Sequence, residues 1–436
     1  MNEIARQLND EIVKGSQPLM GMLSEVGKNL FFPKGILSQG AEAKQKAHRI
    51  NATIGIAKEE GGIMCLPSVT KSIDGLTPEN SLTYAPSFGI PALRKAWKEN
   101  LVTKNPSLEG KEVSLPVVTC GITHSIAIVA DLWLDPGDVV ILPNMMWGNY
   151  NLILSVRKGV TLSKYTLFTE AGGFNLEAFE AKVKEEAANR DKITVLLNFP
   201  QNPTGYTVTV DEAKKIADIL EEVAAGGTKV IAVTDDAYFG LFFEEETLKE
   251  SIFSLLVGRH ENLLAIKMDG ATKEDYVWGL RVAFITYGVT PCDNLSAIYD
   301  ALEKKTAGAI RGNISNASHL SQSIVLEAMK TDGYWESKGA KGEILKARAN
   351  KVREVACASE YEDAWSVYPF NSGYFMCICV KGVDAEELRV HLLDKYGVGL
   401  ISLGSTDIRV AFSCIELDDV KELFDTIYKG VQELKG

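Results

Sequence analysis

The chain has 436 residues, 46% hydrophobic and 24% charged, with 46 Lys plus Arg against 58 Asp plus Glu and a formal charge of −12. That length predicts two or three packed units whose cores need no disulfide or metal staple, and it excludes disorder as the main theme. The acidic balance argues against a basic face for nucleic acid or anionic membrane, because such a surface repels phosphates over about a Debye length.

The N-terminal stretch MNEIARQLND is polar and acidic where a secretory signal has a charged-then-apolar profile. No apolar run approaches the ~20 residues that span a bilayer, since even Ser125 to Leu142 is interrupted by Asp131, Asp135, Pro136 and Asp138. A cytoplasmic location is therefore expected. Residues 1–60 contain no core of their own and are expected to pack on a smaller domain or a partner subunit. From 61 to 317 the chain alternates. Apolar β-branched runs (Val139–Leu142, Val195–Leu197, Val230–Val233, Leu263–Ile266) are separated by helical patterns such as Val210–Val223, with Ala213, Ile216, Ala217, Ile219 and Leu220 on one side. This predicts an α/β large domain, a mostly parallel sheet flanked by helices. Residues 318–436 read as a smaller α+β domain: a long interdomain helix reaching Glu360, a strand at Tyr374–Val380, a helix at Ala385–Lys395 and a strand at Asp407–Phe412. The seven cysteines form no Cys-x-x-Cys pair, so no metal site is expected, and Cys377 and Cys379 are expected to share one strand face as small buried hydrophobes.

In open α/β sheets, ligands sit beyond the carboxyl ends of the strands. After Val195–Leu197 comes Asn198-Phe-Pro-Gln-Asn202-Pro203-Thr204-Gly205; after Val230–Val233 comes Thr234-Asp235-Asp236-Ala237-Tyr238; after Leu263–Ile266 comes Lys267-Met-Asp-Gly-Ala-Thr272-Lys273, then Gly279-Leu-Arg281. An amide, a carboxylate, a phenol, a lysine and an arginine thus arrive at one edge. Singly, each has a bland reading as cap, packing group or solvated charge.

Together, Pro-x-Asn-Pro-Thr-Gly at Pro200–Gly205, Asp-x-Ala-Tyr at Asp235–Tyr238 and Lys-x5-Gly-x-Arg at Lys273–Arg281 resemble the class I aminotransferases. These are fold-type I pyridoxal-phosphate (PLP) enzymes, typified by aspartate aminotransferase, and the similarity runs from Asn51 to Phe412. The resemblance implies that Lys273 forms the imine with PLP and later carries the proton between the substrate α-carbon and the cofactor. Lys267 is the competing lysine, but it continues a strand and lacks Gly and Arg at the matching offsets. Asp235 is expected to face the pyridine nitrogen and keep it protonated, with Asp236 pointing to the other face. Asn202 and Tyr238 are expected on the cofactor's 3′-oxygen. The turn Thr119-Cys-Gly121-Ile122-Thr123-His124-Ser125 resembles the family's phosphate cup, with Ile122 and Thr123 at a helix N-terminus and Arg281 as its cation. Thr272 is the hydroxyl left to the lysine loop, since Gly270 stands where the family often has one.

Trp147 matches the aromatic residue that stacks on the pyridine ring, and Tyr84, in Thr83-Tyr84-Ala-Pro-Ser-Phe-Gly89, matches a tyrosine that reaches a neighbouring subunit's phosphate, implying a homodimer with shared sites. Arg409 resembles the clamp on the substrate α-carboxylate, supplied by the smaller domain, and Gly55 offers a backbone donor. Arg311, with its Arg-x3-Ser-Asn spacing, resembles the arginine that binds the distal carboxylate of aspartate or glutamate. Its context departs from the family, with Ala317-Ser318-His319 in place of prolines. The activity implied is ping-pong transfer of an amino group from aspartate or glutamate, with aromatic donors second, to a 2-oxoacid such as 2-oxoglutarate. Alternative readings are another PLP reaction such as β-elimination (C–S lyase) and, least favoured, an aminotransferase-like transcription regulator, for which the N-terminal segment is too short and insufficiently basic.

Overall fold

The computed structural model describes residues 1–32 and 35–436. Its centre is a seven-stranded sheet made of β1 (Val117–Cys120), β2 (Val139–Pro143), β3 (Thr161–Tyr165), β4 (Lys192–Asn198), β5 (Lys229–Asp235), β6 (Leu263–Gly270) and β7 (Val282–Gly288). Their spatial order is β1-β7-β6-β5-β4-β2-β3. Only β7 runs against its neighbours, pairing antiparallel with β1 and β6; the other pairs are parallel. The runs of Val, Ile and Leu in β2, β4 and β5 are buried along nearly their whole length, as helices on both faces require. One flanking helix, Val210–Ala225, opens with a capping box in which Thr209 and Glu212 satisfy each other's backbone N–H groups, and it buries Ala213, Ile216, Ala217 and Leu220.

A second sheet pairs β8 (Trp365–Val367), β9 (Phe375–Val380), β10 (Ile401–Leu403) and β11 (Asp407–Ala411) in the order β8-β9-β11-β10, all antiparallel. The helix Ala385–Tyr396 packs on it and ends at Gly397 in the left-handed conformation. The N-terminal segment joins this smaller domain: Ile50–Asn51 pairs with Val398–Gly399, and the helix Ile36–Lys46 lies against β10.

Two readings need correction. The single long helix expected after residue 317 is two helices, His319–Lys330 and Tyr334–Ala356, separated by a turn with Gly333 at φ +79°. The first packs on the helices Pro67–Ile73 and Pro91–Lys104 of the large domain, so only the second leads into the small one. Cys377 is buried as expected, but Cys379 on the same face is partly exposed, level with Ser366 and Asp407 of the adjoining strands. Among the described residues no helix is long and apolar enough to cross a membrane.

Candidate active site

Register in the parallel strands places the polar residues. Asn198 and Asp235 are the last residues of β4 and β5 and are paired directly across the sheet, so the chain leaves both strands at one level. Asn198 Nδ2 donates to the Asp235 carbonyl at 2.8 Å, and Asn198 Oδ1 accepts from the Asn202 backbone N–H at 3.0 Å. The amide of β4 thereby orders the loop carrying Asn202. That loop ends in Gly205, where a Cβ would lie 1.9 Å from the Phe375 carbonyl oxygen. The final glycine of the motif is required by the approach of β9, and it seats the small domain on the site.

These strand ends enclose a cavity of ≈ 260 Å³ lined by Ile122, Thr123, Trp147, Tyr150, Asn198, Asn202, Asp235, Ala237, Tyr238, Thr272, Lys273 and Arg281. All the residues expected to hold the cofactor meet here except Tyr84. Lys267 lies outside. It is buried on the far side of β6, paired with Asp236 and 3.5 Å from Asp269, which also accepts from Trp97 Nε1 at 3.2 Å. Burial works against its charge, but Asp236 and Asp269 outweigh burial and raise its pKa.

The electrostatics inside the cavity are different. Burial pulls Lys273 down from 10.5 to about 8; Asp235 opposes this and Arg281 adds to it. Burial pushes Asp235 up to about 6, tempered by a hydrogen bond from Tyr150, increased by neighbouring Asp236 and reduced by Lys273. Tyr150 OH donates to Asp235 Oδ2 at 2.6 Å, and the Ala237 N–H donates to Oδ1 at 3.2 Å. The Lys273 Nζ lies 5.0 Å from the centre of the Tyr238 ring. Trp147 forms one wall, edge-on to Tyr150 at 5.5 Å between centroids.

At the opposite end, the helix Ile122–Trp133 begins at Gly121, whose φ of +77° excludes most other residues. A Cβ there would lie 2.3 Å from Arg281 Nη2, so the missing side chain leaves the space the guanidinium occupies. Thr272 Oγ1 is buried beside them without a partner. An orphaned hydroxyl, a guanidinium and the first amides of a helix form a donor set for a phosphate, and a buried carboxylate opposite them suits a protonated ring nitrogen. The residues therefore fit pyridoxal phosphate. Gly270 is not an available phosphate position: a Cβ there would lie 2.6 Å from the Val282 carbonyl oxygen and 2.8 Å from Ala283 Cα, because β7 pairs against it.

Arg409, in β11, is buried, donating to the Thr53 carbonyl at 2.9 Å and to Asn202 Oδ1 at 3.3 Å, and burial lowers its pKa. Gly55 comes close to the same corner, its missing Cβ 3.8 Å from the Tyr238 hydroxyl. Tyr84 and Arg311 do not reach the cavity of their own chain. Tyr84 is 88% exposed, and Arg311 is exposed with Nη1 donating to Ser315 Oγ at 2.7 Å. Their loops touch, since Ser87 Oγ donates to the Ser315 carbonyl at 2.8 Å, so both stand on one surface. The residues missed from sequence are Tyr150 and, as a cavity wall, Asn198. Tyr150 follows Trp147 by three positions in a helical turn, and that spacing was its one available signal.

Comparison with known proteins agrees with this geometry. The family model for aminotransferase class I and II matches residues 48–427. A probable N-acetyl-LL-diaminopimelate aminotransferase of Bacillus subtilis is 26% identical over 367 residues, covering 82% of each chain. A probable aspartate/prephenate aminotransferase of Aquifex aeolicus is 27% identical over 253 residues, covering 58% of this chain and 57% of that one. The crystal structure of an aminotransferase from Anaerococcus prevotii superposes with a TM-score of 0.83 at 24% identity, covering 95% of this chain and 100% of that one. The cytoplasmic aspartate aminotransferase of Saccharomyces cerevisiae superposes with a TM-score of 0.77 at 19% identity, covering 96% and 100%. With its lysine, carboxylate and phosphate cup gathered at the strand ends, the chain belongs to the class I and II aminotransferases and is a PLP-dependent enzyme of amino acids and 2-oxoacids.

Proposed function

We propose that the enzyme takes its amino group from aspartate or glutamate and passes it to 2-oxoglutarate, in a homodimer whose subunits share their active sites. The observation that carries the specificity is Arg311, held by Ser315 on the exposed face that also carries Tyr84. Leu82, two residues before Tyr84, is also exposed, which suits burial against a second copy. In such a dimer Tyr84 serves the partner's phosphate cup and Arg311 the distal carboxylate of the partner's substrate. A cytoplasmic location is part of the proposal; the seven cysteines are free thiols, the form a reducing compartment maintains.

Pyridoxal phosphate, when bound, supplies the carbonyl that accepts the amino group and the ring that delocalises the electrons released at the α-carbon. The protein's part follows from its own groups. Arg281, Thr272 and the amides of Ile122 and Thr123 would hold the phosphate. Asp235, oriented by Tyr150 and the Ala237 N–H, would hold the proton on the ring nitrogen. Asn202 and Tyr238 would donate to the 3′-oxygen, and Trp147 would lie against the ring. Arg409 exchanges its present contacts with Thr53 and Asn202 for the substrate α-carboxylate. Lys273, whose depressed pKa releases a neutral amine near pH 8, moves the proton at the α-carbon through its Nζ.

A second reading, aromatic donors, is favoured by a cleft of ≈ 920 Å³ that shares Trp147 and Asn202 with the cavity and is lined by Phe31, Met146, Leu152 and Leu403. A panel of amino donors assayed with 2-oxoglutarate decides between them. Arg311→Ala is expected to depress aspartate turnover far more than turnover of aromatic donors; equal loss for both removes Arg311 from recognition. Release of pyruvate and ammonia from cysteine-type substrates without an oxoacid requirement replaces transamination with β-elimination. Mixing inactive Lys273→Ala chains with Tyr84→Ala chains tests the dimer, because shared sites restore activity in the hybrid.

A further inference from the structure

The turn that carries Lys273 is gripped from behind. Glu274 and Asp275, the next two residues, are buried and directed away from the cofactor cavity. Lys104 Nζ lies 2.6 Å from Glu274 Oε1, and Lys338 Nζ lies 2.8 Å from that oxygen and 2.9 Å from Asp275 Oδ1. Tyr334 OH donates to Asp275 Oδ1 at 2.5 Å. Two of these three gripping side chains, Tyr334 and Lys338, belong to the first turns of the helix Tyr334–Ala356.

The same helix grips the other side of the reaction. Arg348, ten residues beyond Lys338 and so ~15 Å further along the axis, donates through Nη1 to the Ser413 carbonyl at 2.9 Å and to the Lys58 carbonyl at 2.7 Å. Its Nη2 pairs with Glu416 at 2.5 Å. Ser413 follows β11, the strand of Arg409, and its Oγ donates to the Ile56 carbonyl at 2.6 Å, next to Gly55. One uninterrupted helix is therefore fastened at one end to the turn of Lys273 and, about three turns later, to the turn that follows the strand of Arg409 and to the segment after Gly55. Each fastening centres on buried charges, Glu274 and Asp275 at one end and Arg348 at the other, although Glu416 is itself half-exposed; buried charges are strongly penalised when they lose their partners and so keep their geometry.

We propose that the helix Tyr334–Ala356 is the mechanical link between the α-carboxylate clamp and the reactive lysine, with Lys338 and Arg348 as positioning residues at its two ends. Engagement of Arg409 by substrate shifts β11, Arg348 carries that shift into the helix, and Lys338 delivers it to the Glu274–Asp275 pair that fixes the backbone of Lys273. Arg409 and Lys273 enter with the roles given under Proposed function, but the coupling itself belongs to the polypeptide.

Coupling of this kind is reciprocal, and reciprocity is what separates it from local damage. Hydrogen–deuterium exchange is measured on full-length protein, with and without PLP, for Lys338→Met, Lys338→Arg and Arg348→Met. Arg348→Met is expected to speed exchange in residues 271–276 by at least about threefold, and Lys338→Met to do the same in residues 409–414. In PLP-loaded protein Arg348→Met is expected to move the pH midpoint of the bound-cofactor absorbance by about half a unit or more, although it touches no cavity residue. Lys338→Arg retains the charge and is expected to leave both readouts close to wild type. If each substitution loosens only its own end, the link is refuted; should Lys338→Met fail to fold, the distant effects of Arg348→Met and their absence in Lys338→Arg decide alone. Failure of the wild-type chain to take up PLP would overturn the functional reading, whereas the exchange pattern of the unloaded chain still tests the coupling.

Discussion

Replacing Lys273 by Met should make the unloaded protein more stable at neutral pH, by an amount that fades as the pH rises. The ammonium of Lys273 is buried among Asp235, Arg281 and Tyr238, and its pKa falls from an ordinary 10.5 to about 8. Between those values the unfolded chain binds a proton the folded chain does not, so stability rises with pH through that window and the full cost is present below pH 8. At 1.36 kcal/mol for each tenfold change in proton affinity, the cost is about 3 kcal/mol at pH 7 and under about 1 kcal/mol at pH 10. Other groups titrate in both proteins, so the difference between the two stability curves isolates this one. Urea unfolding of the apo forms at intervals from pH 7 to pH 10 supplies both curves. The advantage of Lys273→Met over wild type should shrink by about 2–3 kcal/mol across that range. A difference that stays constant with pH, or grows with it, would show that Lys273 is not held as a buried, readily released amine, and its assignment as the proton carrier would lose its physical basis.

Three further outcomes follow from particular contacts. Tyr150→Phe removes the hydrogen bond that holds the Asp235 pKa down, so in the apoenzyme the carboxyl titration seen by NMR should move up from about 6 by about one pH unit; an unmoved titration would leave Tyr150 a packing residue. Thr272→Val removes the orphaned hydroxyl from the phosphate cup and should weaken PLP binding about tenfold in an equilibrium titration with little change in urea midpoint, whereas unaltered affinity would place the phosphate elsewhere. Gly270→Ser, which on sequence grounds restores a family hydroxyl, should instead destabilise by about 1–3 kcal/mol without tightening PLP, since its Cβ meets the backbone of β7; tighter binding at unchanged stability would contradict the packing.

What could be read from the sequence is what the backbone makes local. Asn198 and Asp235 end apolar runs, and a parallel sheet brings such ends to one edge, so the motifs beginning there identified the cavity before any coordinate. The broken helix at Gly333 was harder, because a glycine after Lys330 and Asp332 in a charged stretch also reads as a tolerated helical residue. Tyr150 could not be assigned because its meaning lies in an 85-residue separation from Asp235, set by the register of β2 against β4 and β5. Gly270 was read as a hydroxyl lost; its cause is the antiparallel pairing of β7, which approaches too closely for any side chain. Nothing in the sequence singles out Glu274 and Asp275, because it is the arrival of Lys104, Lys338 and Tyr334 from distant helices that makes them a buried anchor.

The two lysines of one strand and turn show how the fold chooses a reactive amine. Lys267 is fully buried and Lys273 is half-buried in the cavity wall, and in each case burial is the largest influence and opposes the charge. Lys267 has two carboxylates beside it, those of Asp236 and Asp269, so attraction exceeds desolvation and the amine stays protonated. Lys273 has a single carboxylate, Asp235, which is itself raised to about 6 and shared with Tyr150, and it faces the opposing charge of Arg281. Its proton is therefore held loosely. The acids that could have stabilised it, Glu274 and Asp275, are the nearest in sequence, but their side chains turn to the other side of the backbone, where Lys104 and Lys338 neutralise them. Separating the two sets of charges keeps the amine of Lys273 easily deprotonated while the same acids fix its main chain, which is the combination that positioned proton transfer requires.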